Sequence, residues 1–315
     1  MRLSQAIDGF LLFKEAAGLR PRTLSLYRYY LERFTQWAND PPLAAIQAGH
    51  VNAFLAYLRN DYEPTRLTGS TKPLSSQSVY NNWTALKAFT RWTHETLGLA
   101  DIMAGGQVPR PKTQNEKPAP LTEAEIKALF AVVKPVRGRR ATSGLYYLTD
   151  LRDRAILFVL LDTGIRAGEL GRLTVGDVHI QSGRVNIHEG KGGKSRQVWL
   201  GAHSRPAVWR YLQERPDIDP AAPLFTSTGN RPLTASALEK RLSKIGAKAG
   251  VAHVHPPRFR HTFAIEYLRN GGDVFTLQAL LGHSSLTMVR YYLQLAQSDV
   301  EQAHRRASPV DRWFK

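Results

Sequence analysis

The stretch Thr163-Gly164-Ile165-Arg166-Ala167-Gly168-Glu169-Leu170 sets an arginine directly after a glycine turn, at the start of a predicted helix. Alone, such an arginine reads as a salt-bridged or surface group. Upstream, Asp150 to Leu161 reads as a largely buried helix. Downstream, Arg184-Val185-Asn186-Ile187-His188 alternates, Gly190-Lys191-Gly192-Gly193-Lys194 turns, and Gln197-Val198-Trp199-Leu200 alternates again. That pattern is a β-hairpin. From Ala235 the pattern is helical once more, and Pro256-Pro257 suits a helix's first turn. The fold class is therefore mainly α, with a small β-hairpin or sheet in the second of two domains.

The domain boundary lies further upstream. Gly105-Gly106, Pro109, Pro111, Pro118 and Pro120 sit among polar and basic residues without apolar periodicity, so 105–120 reads as an extended linker. Leu121-Thr122-Glu123-Ala124-Glu125 opens the next domain, with Thr122 and Glu125 at capping-box spacing. That domain runs over 121–315, with a C-terminal tail from about residue 294 in which 300–307 looks helical. Residues 134–144, with Arg137, Arg139 and Arg140, read as a basic loop. Residues 1–104 read as a small helical domain. Ser4 is placed to cap a stripe of Ile7, Phe10, Leu11 and Lys14, and Thr23 precedes Leu24, Tyr27, Leu31, Phe34 and Ala38. Val51, Phe54, Leu55 and Leu58 make a third stripe; Ser76 starts a fourth with Val79, Trp83, Leu86 and Phe89. These aromatic stripes read as core.

Over 315 residues, 43% hydrophobic content supplies ample material for packed cores. Cysteine is absent, which excludes a disulfide scaffold, a thiol nucleophile, an iron–sulfur cluster and cysteine-ligated zinc. The most apolar run, Ala155 to Leu161, is too short to cross a bilayer, and no signal-peptide core follows Met1-Arg2-Leu3. A soluble, cytoplasmic protein with no membrane partner is expected. Its charge is +17, with 43 Lys and Arg against 26 Asp and Glu. Such a balance favours a polyanionic partner through phosphate neutralisation and counterion release. The excess is spread along the chain, +5 over 1–112 and +12 over 113–315, so the basic surface belongs to folded domains.

Two tempting motifs fall away. A P-loop ending at Lys194 needs a glycine where His188 stands and a helix where a strand follows. His253, His255 and His261 lack the HExxH spacing or acidic cluster of a metal site. What remains is TGIRAGEL at 163–170, the lysine-bearing hairpin, RHTFA at 260–264 and LGHSSLTMVRYY at 281–292. In this order and spacing the four motifs closely resemble the tyrosine recombinase (phage integrase) family, across nearly the whole chain.

The resemblance implies a two-domain DNA clamp and a site-specific recombinase, with no cofactor. It implies that Arg166 and Arg260 are the catalytic arginines, that Lys191 is the catalytic lysine (Lys194 being the weaker candidate), and that His283 occupies a position that is His or Trp in the family. Tyr292, nine residues after His283, matches the nucleophile; Tyr291 falls out of register, and Glu169 and His261 match supporting positions. It further implies double-stranded DNA with a specific site as partner and a tetramer on two sites; accessory proteins stay open. One departure stands out. Three positions before Arg260, where the family usually has a His, this chain has Pro257. Either His255 substitutes, or the site works without this group, or the protein is a non-catalytic DNA-binding relative.

Overall fold

The structure, a computed structural model, describes residues 1–65, 73–113, 119–134, 144–188, 195–215, 219–227, 231–282, 292, 304 and 308–313. The chain divides into two compact units, Met1–Lys117 and Pro118–Lys315.

The first unit is helical: α1 (Leu3–Ala16), α2 (Pro21–Ala38), α3 (Ala48–Asn60) and α4 (Ser76–Leu97). Their apolar stripes meet in one core that includes Phe10, Leu31, Phe34, Phe54, Leu58, Leu86 and Phe89. Phe10 lies edge-on to both Tyr27 and Phe89, with centroids 5.4 and 5.7 Å away. The aromatic residues are thus packing groups. Two expected helix starts shift. Arg2 is the N-cap of α1, so Ser4 falls inside the first turn, where its N–H and hydroxyl both donate to the Asp40 carboxylate at 2.8 and 2.9 Å. Helix α2 begins at Pro21, two residues before Thr23, because proline's fixed φ suits the first helical position. The stretch read as linker also begins inside this unit: Val108 is buried in its core, and its carbonyl accepts from the Trp83 indole at 3.4 Å.

The second unit opens as its capping box predicts. Thr122 Oγ1 accepts from the Glu125 N–H at 3.2 Å, and Glu125 Oε2 accepts from the Thr122 N–H at 2.8 Å, ahead of α5 (Glu123–Val132). The Glu125 carboxylate also receives the Arg258 guanidinium at 2.9 and 3.0 Å. Helix α6 (Gly144–Thr163) and the short α7 (Ala167–Leu170) precede the sheet. Strands β1 (Val178–His179), β2 (Arg184–Ile187) and β3 (Arg196–Trp199) are antiparallel in that order, with Val185 opposite Val198 and Ile187 opposite Arg196. The expected hairpin is therefore present, extended by a two-residue strand too short to show a period. Helices α8 (Ser204–Gln213), α9 (Ala235–Ala249), α10 (Pro256–Arg269) and α11 (Val274–Leu281) follow, with a terminal helical turn at Pro309–Trp313. Leu129, Ile156, Leu160, Val185, Val208, Phe225 and Phe259 contribute to its main core. A smaller cluster joins α10 and α11 to Tyr292 through Phe263, Ile265, Leu277 and Leu281. No helix among the described residues is long and apolar enough to cross a membrane. The basic loop expected at 134–144 falls almost wholly outside the described residues, as does the helix expected at 300–307.

Candidate active site

The site is built where α6 ends. The Thr163 hydroxyl donates to the Val159 carbonyl at 2.6 Å, and Gly164 then adopts a left-handed backbone, φ +57°. A Cβ at Gly164 would stand 2.4 Å from a Phe263 ring carbon, so conformation and space both demand glycine. The turn delivers Arg166 to the N-cap of α7 with Glu169 three residues on. The Arg166 N–H donates to Glu169 Oε2 at 3.0 Å and its guanidinium to Oε1 at 2.8 Å. Glu169 is buried, whereas the Arg166 side chain keeps 31% of its surface.

The second structural element is the C-terminal end of α11. Gly282 caps it with φ +63°. Three arginines from three parts of the chain take its last carbonyls. Arg196 donates to the Leu280 carbonyl at 2.6 Å, Arg260 to Leu281 at 2.7 Å, and Arg166 to Gly282 at 3.4 Å. A helix C-terminus carries partial negative charge, so guanidinium groups gather there favourably. Arg260, buried in the first turns of α10, also donates to the Gly164 carbonyl at 2.8 Å. Two carbonyls from different elements therefore fix its plane.

Charge in this cluster is unbalanced. Burial opposes ionisation of Glu169, but the hydrogen bonds and charge of Arg196, the Arg166 N–H and the Arg166 guanidinium hydrogen bond outweigh it and hold the carboxyl at about 2. Burial, and then the neighbouring Arg166, push the Arg260 guanidinium down to about 10, with Glu169 and Tyr292 offsetting only part of that. Arg260 stays charged at neutral pH, as a cation that an added anion would stabilise. Tyr292 is buried, its ring centroid 5.3 Å from that of His261, and a charge on it would favour the charged form of Arg260.

Five of the residues singled out from sequence, Arg166, Glu169, Arg260, His261 and Tyr292, thus gather in one cluster. Lys191, Lys194, His283 and Tyr291 lie outside the described residues. The hairpin that bears Lys191 is held at its base, where the His188 ring meets the Asp177 carboxylate at 2.7 Å. His255 is the N-cap of α10, without a side-chain cap bond, and lines a groove of about 850 Å³ beside Glu239 and Ser243 of α9. Burial disfavours its charged form first, against Glu239 and with Arg258 and His253. Pro257 sits exposed in the first turn of α10. Sequence reasoning missed Arg196. Its signal was parity: it lies two residues before the buried Val198, on the inward face of β3, although the alternation was read only from Gln197.

Residues 119–299 match the model of the phage integrase family. The chain belongs to the phage integrase family. Residues 7–98 match that family's N-terminal SAM-like domain. Among curated relatives, the tyrosine recombinase XerA of Thermococcus kodakarensis is 29% identical, covering 98% of this chain and 97% of the relative. The tyrosine recombinase XerC of Oceanobacillus iheyensis is 30% identical over 98% and 97%. Of solved structures, a XerA recombinase is similar at 28% identity and TM-score 0.50, covering 98% of this chain and 99% of that one. The Tn1549 transposon integrase, in complex with transposon right end DNA, shares the fold at TM-score 0.71 and 17% identity over 96% and 99%. This phage integrase family member is a tyrosine-type site-specific recombinase.

Proposed function

We propose that this recombinase cuts and rejoins double-stranded DNA at a specific site through a 3′-phosphotyrosyl intermediate on Tyr292. The observation that carries the reading is the pairing of Arg166 and Arg260 on one helix end, with the Tyr292 ring packed 5.3 Å from that of His261, the residue next to Arg260. A phosphodiester is an anion that repels nucleophiles, and its pentacoordinate transition state carries more negative charge. Two planar, permanently charged guanidinium forks answer both problems. A phenol of ordinary pKa is only about one part in a thousand ionised near pH 7, so neighbouring cations favour phenolate at attack.

In the step itself the Tyr292 phenol releases its proton to solvent, and its oxygen bonds to phosphorus as the bond to the 5′ oxygen breaks. The 5′ oxygen leaves with a proton, for which Lys191 is the general acid, and His283 donates a hydrogen bond to the phosphate. One ester replaces another, so rejoining a 5′ hydroxyl to the phosphotyrosine needs no ATP, and this chemistry calls for no metal. We read residues 1–104 as the helical DNA-binding domain and 121–315 as the catalytic domain, joined by 105–120. The protein acts in the cytoplasm as a tetramer that brings two sites together.

Covalent trapping tests this reading. Nicked suicide duplexes tiling the DNA around the protein's own gene are incubated with it and run on a denaturing gel. A protein-linked band that disappears in Tyr292→Phe, with DNA binding intact, is expected; a band that persists would move the nucleophile elsewhere. Lys191→Ala is expected to slow cleavage and to recover on a duplex with a 5′-bridging sulfur, a better leaving group. EDTA is expected to leave the band unchanged, and strong inhibition would revive a metal mechanism.

A further inference from the structure

We infer that Arg196 is a positioning residue of the active site, sharing the Glu169 carboxylate with Arg166 so that Arg166 keeps its positive charge for the phosphate. The inference rests on the reading of Arg166, Arg260 and Tyr292 given above. Arg196 is the first residue of β3, paired with the buried Ile187 of β2. Its side chain is 10% exposed and is committed within the protein. Nη1 and Nη2 donate to the two Glu169 oxygens at 3.0 and 2.7 Å, and Nε donates to the Leu280 carbonyl at 2.6 Å. It packs against Gly282 so closely that a Cβ there would stand 3.2 Å from Arg196 Cδ.

Arg166 is placed differently. Its guanidinium gives Glu169 one hydrogen bond while Arg196 gives two, and it is three times as exposed. The fork-to-carboxylate pair between Arg196 and Glu169 is the stronger arrangement. Neutralising Arg196 would leave Arg166 as the guanidinium facing the buried Glu169 anion and draw it inward. It would also remove a positive charge felt at Arg260. The field available to a phosphate and to the Tyr292 phenolate would fall accordingly.

The test uses the full chain, on a duplex that traps wild-type protein, with Arg196→Gln and Arg196→Lys. Arg196→Gln is expected to bind that duplex within about threefold of wild type and to cleave it about a hundredfold more slowly in single turnover. Its pH–rate curve should move to higher pH, since the phenol loses a stabilising cation. Arg196→Lys keeps charge without the fork, and is expected to fall between, about tenfold slow. Wild-type cleavage by Arg196→Gln would overturn the proposal. So would slow cleavage with an unmoved pH curve and no advantage for lysine, the mark of a packing role. Should Arg196→Gln fail to fold, Arg196→Lys decides alone: an unaltered rate and pH profile would overturn the proposal. Tyr292→Phe runs beside them; a band that persists there sinks the nucleophile reading itself, whatever the Arg196 variants do.

Discussion

Glu169 is a carboxylate with 4% of its surface exposed, and it stays ionised because two guanidinium groups and a main-chain N–H face it. Its folded value of about 2 lies below the ordinary 4.5. The folded state therefore gains stability from this group above about pH 4.5 and loses it as pH falls toward 2. That difference corresponds to about 3 kcal/mol. In urea unfolding, the stability of wild type relative to Glu169→Gln is expected to shrink by about that amount between pH 5 and pH 2. A difference independent of pH would show that the carboxylate is not held by these cations. Motif resemblance was enough to single out Arg166, Glu169 and Tyr292, which the fold gathers with Arg260. Arg196 was not singled out, because only its parity on β3 set it apart from other basic residues near the turn.

Helices and strands follow local patterning where a period is long enough to register. The four stripes of the first unit and the hairpin arms are of this kind, while β1, with two residues, is not. Cap positions were less legible: the residue that meets the first turn of α1 is Asp40, brought there by the fold. The turn after α6 offers a test at this scale. Gly164→Ala places a Cβ into Phe263 at a left-handed backbone, and is expected to destabilise the protein by about 3 kcal/mol and slow cleavage, since the Gly164 carbonyl holds Arg260. Gly250→Ala, with φ +70° and nothing within 4 Å of the added atom, should lose only about 1 kcal/mol and leave cleavage unchanged. Equal losses in denaturant midpoint would mean that the Phe263 contact relaxes freely.

At the scale of the whole molecule, +17 distributed over both units makes the chain a polycation with no acidic segment to cancel it. Binding to the trapped duplex is expected to weaken linearly in log–log form with salt, at a slope on the order of 5 or more. Fluorescence anisotropy from 50 to 300 mM salt measures it. A slope near zero would contradict phosphate neutralisation as the basis of binding.

By itself the sequence determined the helix-rich architecture, the hairpin, the absence of thiol chemistry and the order of the motifs that place the chain in its family. These depend on neighbours within a turn or a strand, where period, capping and turn chemistry act. Tertiary structure decided how the arginines are used. Glu169 meets Arg196 across 27 positions, Gly164 meets Arg260 across 96, and Gly282 meets Arg166 across 116. No local rule relates residues so far apart. Low dielectric and unsatisfied helix-end carbonyls draw them together, because a buried charge or carbonyl must find a partner that only the folded chain can bring.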